Sequence, residues 1–213
     1  MPTPHVFASE LELIAALRRK RTINVATRYF AERVDTLREV VASGIGSNTY
    51  RAFRNLPVRP SSTFRDWAEA HILNRMPPFD SGTAQREYPA YVHASTLALC
   101  RHWQRATGTE MGYGRGAKLL NLVLKKLACL ASLTEQQRRA LIALQHVPLD
   151  SYTLVGLRAV APDLSIPRSA TMKYIETPRQ YAAFQERIAA VAREAQVPPI
   201  YYDILAWDMG HDG

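Results

Sequence analysis

Residues 111–132 read Met111-Gly112-Tyr113-Gly114-Arg115-Gly116-Ala117-Lys118 and then LLNLVLKKLACLAS. A glycine-spaced turn runs straight into a strongly apolar stretch. Leu119, Leu120, Leu122, Val123, Leu124, Leu127, Ala128 and Leu130 leave few polar positions, so the spacing predicts a helix over 116–132 that is buried on most of its surface. Lys118, Asn121 and Lys125 are three, four and seven residues apart and share one face. Glycines ahead of a helix N-terminus leave backbone N–H groups pointing outward, an arrangement that holds phosphate without side chains. The plainer reading is an ordinary loop followed by a helix with solvated lysines. The Gly-Lys-Ser/Thr ending of a Walker loop is missing.

The chain on either side is also helical. Helices are predicted at about 9–20, 23–43, 63–76, 89–106, 134–145, 151–160, 178–196 and 199–209. Gly44 and Gly46 stop the second, Pro77-Pro78 ends the third, and Pro178 opens the seventh. Residues 45–62, 79–88 and 161–177 read as loops. Alternation with period 2 never lasts more than a few residues, so strands are not expected. The expected architecture is all-α, one domain over 1–213 with two helical lobes around a cleft.

The 213 residues carry 27 Lys+Arg against 19 Asp+Glu, a net charge of +8. That excess points toward a polyanionic partner. No run of about 18 uncharged apolar residues is present, and the first residues lack a basic-then-apolar leader. The expectation is a cytoplasmic monomer, nucleoid-associated in a prokaryote, with no membrane partner. Cys100 and Cys129 are the only cysteines, which excludes a disulfide framework and an all-cysteine zinc or iron–sulfur site. His93 and His102 are nine apart and do not form a helical metal pair. No metal or cofactor is called for.

Downstream lies His146-Val147-Pro148-Leu149-Asp150-Ser151. An aspartate at a helix start after a proline-fixed link is an N-cap on the plain reading. On the functional reading it is a carboxylate held at a cleft by a rigid approach.

These two stretches resemble the helix-hairpin-helix DNA glycosylase superfamily. The resemblance covers about residues 108–160 and places the helix-hairpin-helix motif at about 98–132. It pairs a glycine hairpin and its lysine with a Val-Pro-x-Asp link. Lys118 matches the family's catalytic lysine and Asp150 its catalytic aspartate, 32 residues later. That gap is similar to the archaeal 8-oxoguanine glycosylase branch. The hairpin here is one residue longer to the lysine than the usual pattern, so Lys118 and Lys125 both stand as candidates for the amine. The resemblance implies a glycosylase that flips a damaged or modified base out of double-stranded DNA and has lyase activity. The chemistry is coherent: a neutral lysine amine attacks C1′, and a helix N-terminus and an apolar setting both favour the neutral amine. A nearby carboxylate accepts the proton and stabilises charge developing on the sugar.

The expected DNA contacts are Gly112, Gly114 and Gly116 through their amides, Arg115, Tyr113, Lys125, and Arg51 and Arg54 in the basic loop, with Arg59 and Arg65 beside them. Tyr113, or Phe53 and Tyr50, would fill the gap left by a flipped base, although core packing is the commoner fate of an aromatic. Trp207, Asp208 and His146 are the expected lining of the base pocket. Two rival readings remain: a non-enzymatic helical DNA-binding protein that uses the hairpin for phosphate contact, and a helical protein–protein adaptor whose charge serves solubility.

Overall fold

The computed structural model describes residues 3–53, 56–79 and 82–211. It is all-α, with eleven α-helices and no strand among the described residues; the one β-bridge joins Val34 to Leu130. The chain divides into two compact units. Unit 1 combines Met1–Glu32 with Gln145–Gly213, and unit 2 is Arg33–Leu144.

Unit 1 holds α1 (Glu10–Arg18), α2 (Lys20–Ala31), α9 (Ser151–Gly156), α10 (Pro178–Ala195) and α11 (Tyr201–His211). Helix α1 starts where Ser9 Oγ accepts the Glu12 amide, and it buries Leu13, Ala16 and Leu17 at helical spacing. Thr177 caps α10 through the Gln180 amide, Pro178 takes the first helical position, and Gln196 ends the helix in a left-handed conformation (φ 59°). Its buried stripe is Tyr181, Phe184, Ile188, Val191, Ala192 and Ala195. Helix α1 packs on α10 and α2, and α11 packs on α9 and α2.

Unit 2 holds α3 (Leu37–Ser43), α4 (Ser47–Tyr50), a 3₁₀ turn at Arg51–Phe53, α5 (Pro60–Asn74), α6 (Ala84–Thr107), α7 (Tyr113–Leu127) and α8 (Glu135–Leu144). Its apolar axis is α7. Leu119, Leu120, Val123, Leu124 and Leu127 are all fully buried there, each worth about 1.5–3 kcal/mol relative to exposure. Helices α6 and α3 pack against it. Buried Arg138 on α8 gathers the carbonyls that follow α7. It donates to Ala128, to Leu130 at 3.2 Å and to Leu133 at 3.3 Å.

Several boundaries differ from the sequence reading, each for a local reason. The single helix expected over 23–43 is two. Val34 leaves helical geometry to pair backbone groups with Cys129 (2.9 Å) and Ala131 (2.8 Å), and Thr36 with Glu39 builds a capping box that starts α3 afresh. Residues 47–53, read as irregular, form α4 and the 3₁₀ turn. Helix α6 begins at Ala84 and carries Pro89 inside it, whereas proline was expected to open it. Helix α7 begins at Tyr113, three residues before the expected start.

Candidate functional site

The turn between α6 and α7 is built from two left-handed glycines. Gly108 (φ 71°) closes α6, its amide donating to the Gln104 carbonyl at 2.9 Å. Thr107 and Thr109 pair hydroxyls at 2.8 Å, and Met111 is fully buried and anchors the turn. Gly112 (φ 80°, ψ 144°) is the N-cap of α7, in a region reserved for glycine. Gly112, as a glycine, has no side chain with which to cap the first amides of α7.

Gly114 is helical, where the turn was expected to continue, and Gly116 is helical as the predicted helix over 116–132 has it. The Gly116 amide is spent on the Gly112 carbonyl at 3.2 Å. A side chain there would meet Cys100 Sγ at 3.0 Å and Met111 Sδ at 3.3 Å, so Gly116 serves the α6–α7 approach and not phosphate.

Tyr113 is also corrected. It is buried, its hydroxyl lies 3.1 Å from His93 Nδ1, and burial pushes its phenol up to about 12. A side chain so enclosed does not fill a gap in a duplex. Phe53 is buried against Trp103 with ring centroids 4.9 Å apart. Tyr50 sits beside Arg65, and burial pushes its phenol up to about 12. Arg65 itself donates to the Ala42 carbonyl at 3.2 Å, a tie between α5 and α3. Arg51 and Arg59 are exposed, and Arg54 lies outside the described residues.

Arg115 remains at the surface of the turn. Its guanidinium lies 5.6 Å from the Phe53 ring centroid and donates to the Glu110 carbonyl at 3.3 Å. Lys118 and Asn121 are buried and Lys125 is half-buried, so their shared face is enclosed rather than solvated. Lys126, which the sequence reading passed over, is buried as well.

In unit 1, Asp150 is buried and caps α9. Its Oδ1 accepts the Tyr152 amide at 2.9 Å and the Thr153 amide at 3.2 Å, while Thr153 Oγ1 accepts the Asp150 amide at 2.8 Å. The approach to it is clamped. Gln185 accepts the Val147 amide at 2.9 Å and donates to the Val147 carbonyl at 2.8 Å. Tyr202 donates to the Thr153 carbonyl at 2.7 Å. Burial raises the Tyr202 phenol far above its ordinary value, and the charges of Asp150 and Asp203 add to the rise. The structure thus gathers Asp150, Thr153, Tyr202 and Asp203 around the start of α9. Asp203 is a buried residue that sequence reasoning missed. Its signal was a lone carboxylate in the apolar run Ile200–Ala206.

The expected pocket residues disperse. His146 Nδ1 lies 3.0 Å from the Tyr181 hydroxyl, and burial pushes the imidazole down to about 4. Asp208 is engaged by Arg21 at 3.0 Å in a surface ion pair, which corrects its placement in a pocket. Trp207 is 42% exposed and tilts against Tyr152, centroids 4.9 Å apart. It is not enclosed in a pocket.

Lys118 belongs to unit 2 and Asp150 to unit 1. The charge divides between the units unevenly. Unit 1 has 11 Lys+Arg and 11 Asp+Glu, net zero; unit 2 has 16 against 8, so 16 − 8 = +8 resides there entirely. Among the described residues, no three His, Cys, Asp or Glu side chains converge as metal ligands, and no helix is long and apolar enough to cross a membrane. Comparison with family models, with curated proteins and with solved structures finds no match to this chain.

Proposed function

We propose that the protein is a DNA N-glycosylase of the helix-hairpin-helix kind, with an associated lyase activity on a damaged or modified base. The observation that carries this reading is Lys118. It is a buried lysine in the second turn of a helix that a positive-φ glycine opens, in the unit that holds the whole net charge. In the reaction, the Lys118 amine attacks C1′ of a flipped nucleoside. The glycosidic bond breaks, and its electron pair leaves with the base, which takes up a proton. The resemblance gives Asp150 the carboxylate's part, to accept the proton released by the amine and stabilise the cationic sugar. The imine that follows acidifies the C2′ hydrogens, and β-elimination expels the 3′ phosphate.

Borohydride trapping on a panel of oxidised, alkylated, deaminated and hypermodified duplexes tests this. The expected result is a covalent complex with one class of lesion, lost in Lys118→Gln. No complex with any lesion, or undiminished trapping in Lys118→Gln, overturns the Lys118 mechanism; trapping lost in Lys125→Gln instead moves the amine to Lys125. A second reading, a DNA-binding protein without base release, is favoured by one feature: Asp150 Oδ1 already holds two cap amides. It predicts salt-dependent duplex affinity and no released base in the same panel.

A further inference from the structure

Helix α9, which carries Asp150 at its start, is six residues long. A helix that short does not hold itself in place, so its position is set by what grips it from outside. Its carbonyls are gripped twice, both times from within unit 1. Leu157, the C-cap, turns its amide to the Leu154 carbonyl at 3.2 Å, and the Thr153 carbonyl takes the Tyr202 hydroxyl at 2.7 Å. The Gly156 carbonyl takes the Phe7 amide at 3.3 Å. Phe7 and Tyr202 are fully buried and their rings meet, centroids 6.3 Å apart. The Tyr202 oxygen fills the space that a Cβ on Gly156 would need.

Tyr202 is itself a well-fixed donor. Pro198 and Pro199 stiffen the approach to α11, and their carbonyls accept the Tyr201 and Tyr202 amides at 3.0 Å each. Burial, with the charges of Asp150 and Asp203 added, keeps the phenol protonated, so it has a hydrogen to give to Thr153. Thr153 is the residue whose amide and hydroxyl close the cap on Asp150. One path of hydrogen bonds therefore runs from α11 to the carboxylate: Tyr202 hydroxyl to Thr153 carbonyl, then Thr153 amide to Asp150 Oδ1.

We infer that Tyr202 is the positioning residue of Asp150, with Phe7 backing it, and that the two set where the carboxylate stands during base release. The inference rests on the glycosylase reading and adds to it the device that aims the proton acceptor. A proton acceptor must stand within hydrogen-bond reach of its proton, and a displacement of about 1 Å can cost about 100-fold in rate. A residue that acts through Asp150 and touches neither base nor sugar changes the chemical step and leaves binding alone.

The test pairs single-turnover base release, on the lesion duplex that the trapping panel selects, with duplex affinity by fluorescence anisotropy. Tyr202→Phe removes one oxygen and keeps the ring on Phe7. At a temperature where circular dichroism shows it fully folded, it is expected to lower the rate of base release about tenfold, with duplex affinity within about twofold of wild type. Phe7→Leu keeps the amide and an apolar partner for Tyr202, and it is expected to lower the rate about threefold with affinity again held. Should Tyr202→Phe not fold, Phe7→Leu decides by the same two readings. Base release at the wild-type rate, or rate and affinity falling together, overturns the positioning role while the glycosylase reading stands. If the wild-type protein releases no base from any lesion in the panel, both fall.

Discussion

Asp150 and Thr153 cap each other. Asp150 Oδ1 accepts the Thr153 amide at 3.2 Å, and Thr153 Oγ1 accepts the Asp150 amide at 2.8 Å. The same hydroxyl lies 3.2 Å from the Pro148 carbonyl. The carboxylate is thus fixed by its own helix, and its capping role and its proposed chemical role separate by substitution. Asparagine caps as well as aspartate. Asp150→Asn is therefore expected to melt within about 0.5 kcal/mol of wild type and to abolish base release. Thr153→Val is expected to cost about 1 kcal/mol in stability. Thermal melts beside a base-release assay check both; equal loss of stability and activity in Asp150→Asn would reduce the residue to a cap.

His146 makes stability depend on pH. Its imidazole is held down at about 4, against an ordinary value near 6.5, because enclosure disfavours the charged form. The unfolded chain then binds more protons than the folded one between those two values. This contribution to stability is complete above about 6.5, falls as the pH drops toward 4, and does not change below that. The full loss is on the order of 3 kcal/mol. Melting temperature followed from pH 7 to pH 4 is expected to fall less steeply in His146→Gln than in wild type.

Gly156, the last residue of α9, leaves room for the Tyr202 hydroxyl. A methyl group there would sit 2.5 Å from that oxygen and 3.3 Å from the His5 carbonyl. Gly156→Ala is expected to destabilise by about 1–3 kcal/mol through overpacking. Part of the loss returns in Gly156→Ala/Tyr202→Phe, where the clashing oxygen is gone. Denaturant unfolding of the two variants and of Tyr202→Phe alone measures the coupling.

Arg138 holds three carbonyls with one planar group. Arg138→Lys presents a point charge with a different reach and cannot reproduce the fork. Both Arg138→Lys and Arg138→Met are expected to cost about 2–4 kcal/mol, since buried acceptors lose their donor. Urea unfolding with a two-state check measures this; a wild-type midpoint in Arg138→Lys would remove the fork argument.

Gly112 is the position where backbone conformation rules. Gly112→Ala places a side chain at φ 80°, ψ 144°, expected to cost about 1–3 kcal/mol although the nearest side-chain atom is 3.6 Å away. Re-aiming the first amides of α7 is expected to weaken duplex affinity as well, read in the anisotropy assay.

Most helices were legible because their signals are local. Ser9, Thr177 and Asp150 cap the helices that follow them, and the apolar stripe of α10 repeats at 3.6 residues. The Thr36–Glu39 box was equally local, but the apolar pattern running through Val34 masked it. What broke that helix was the pairing of Val34 with Cys129 and Ala131, nearly a hundred residues away.

The sequence alone determined that the chain is helical, that α7 is buried, and that a helix-capping aspartate follows a proline link. Periodicity, capping and proline geometry act within a few residues and are written in order along the chain. Tertiary structure alone decided which side chains those helices enclose. It buried Tyr113 and Phe53, tied Asp208 to Arg21, exposed Trp207, and brought Asp203 to the Asp150 end of α9. Each of these depends on which helix faces which, and close packing between distant segments sets that. The +8 of the whole chain became informative in the same way, once the fold assigned all of it to one unit.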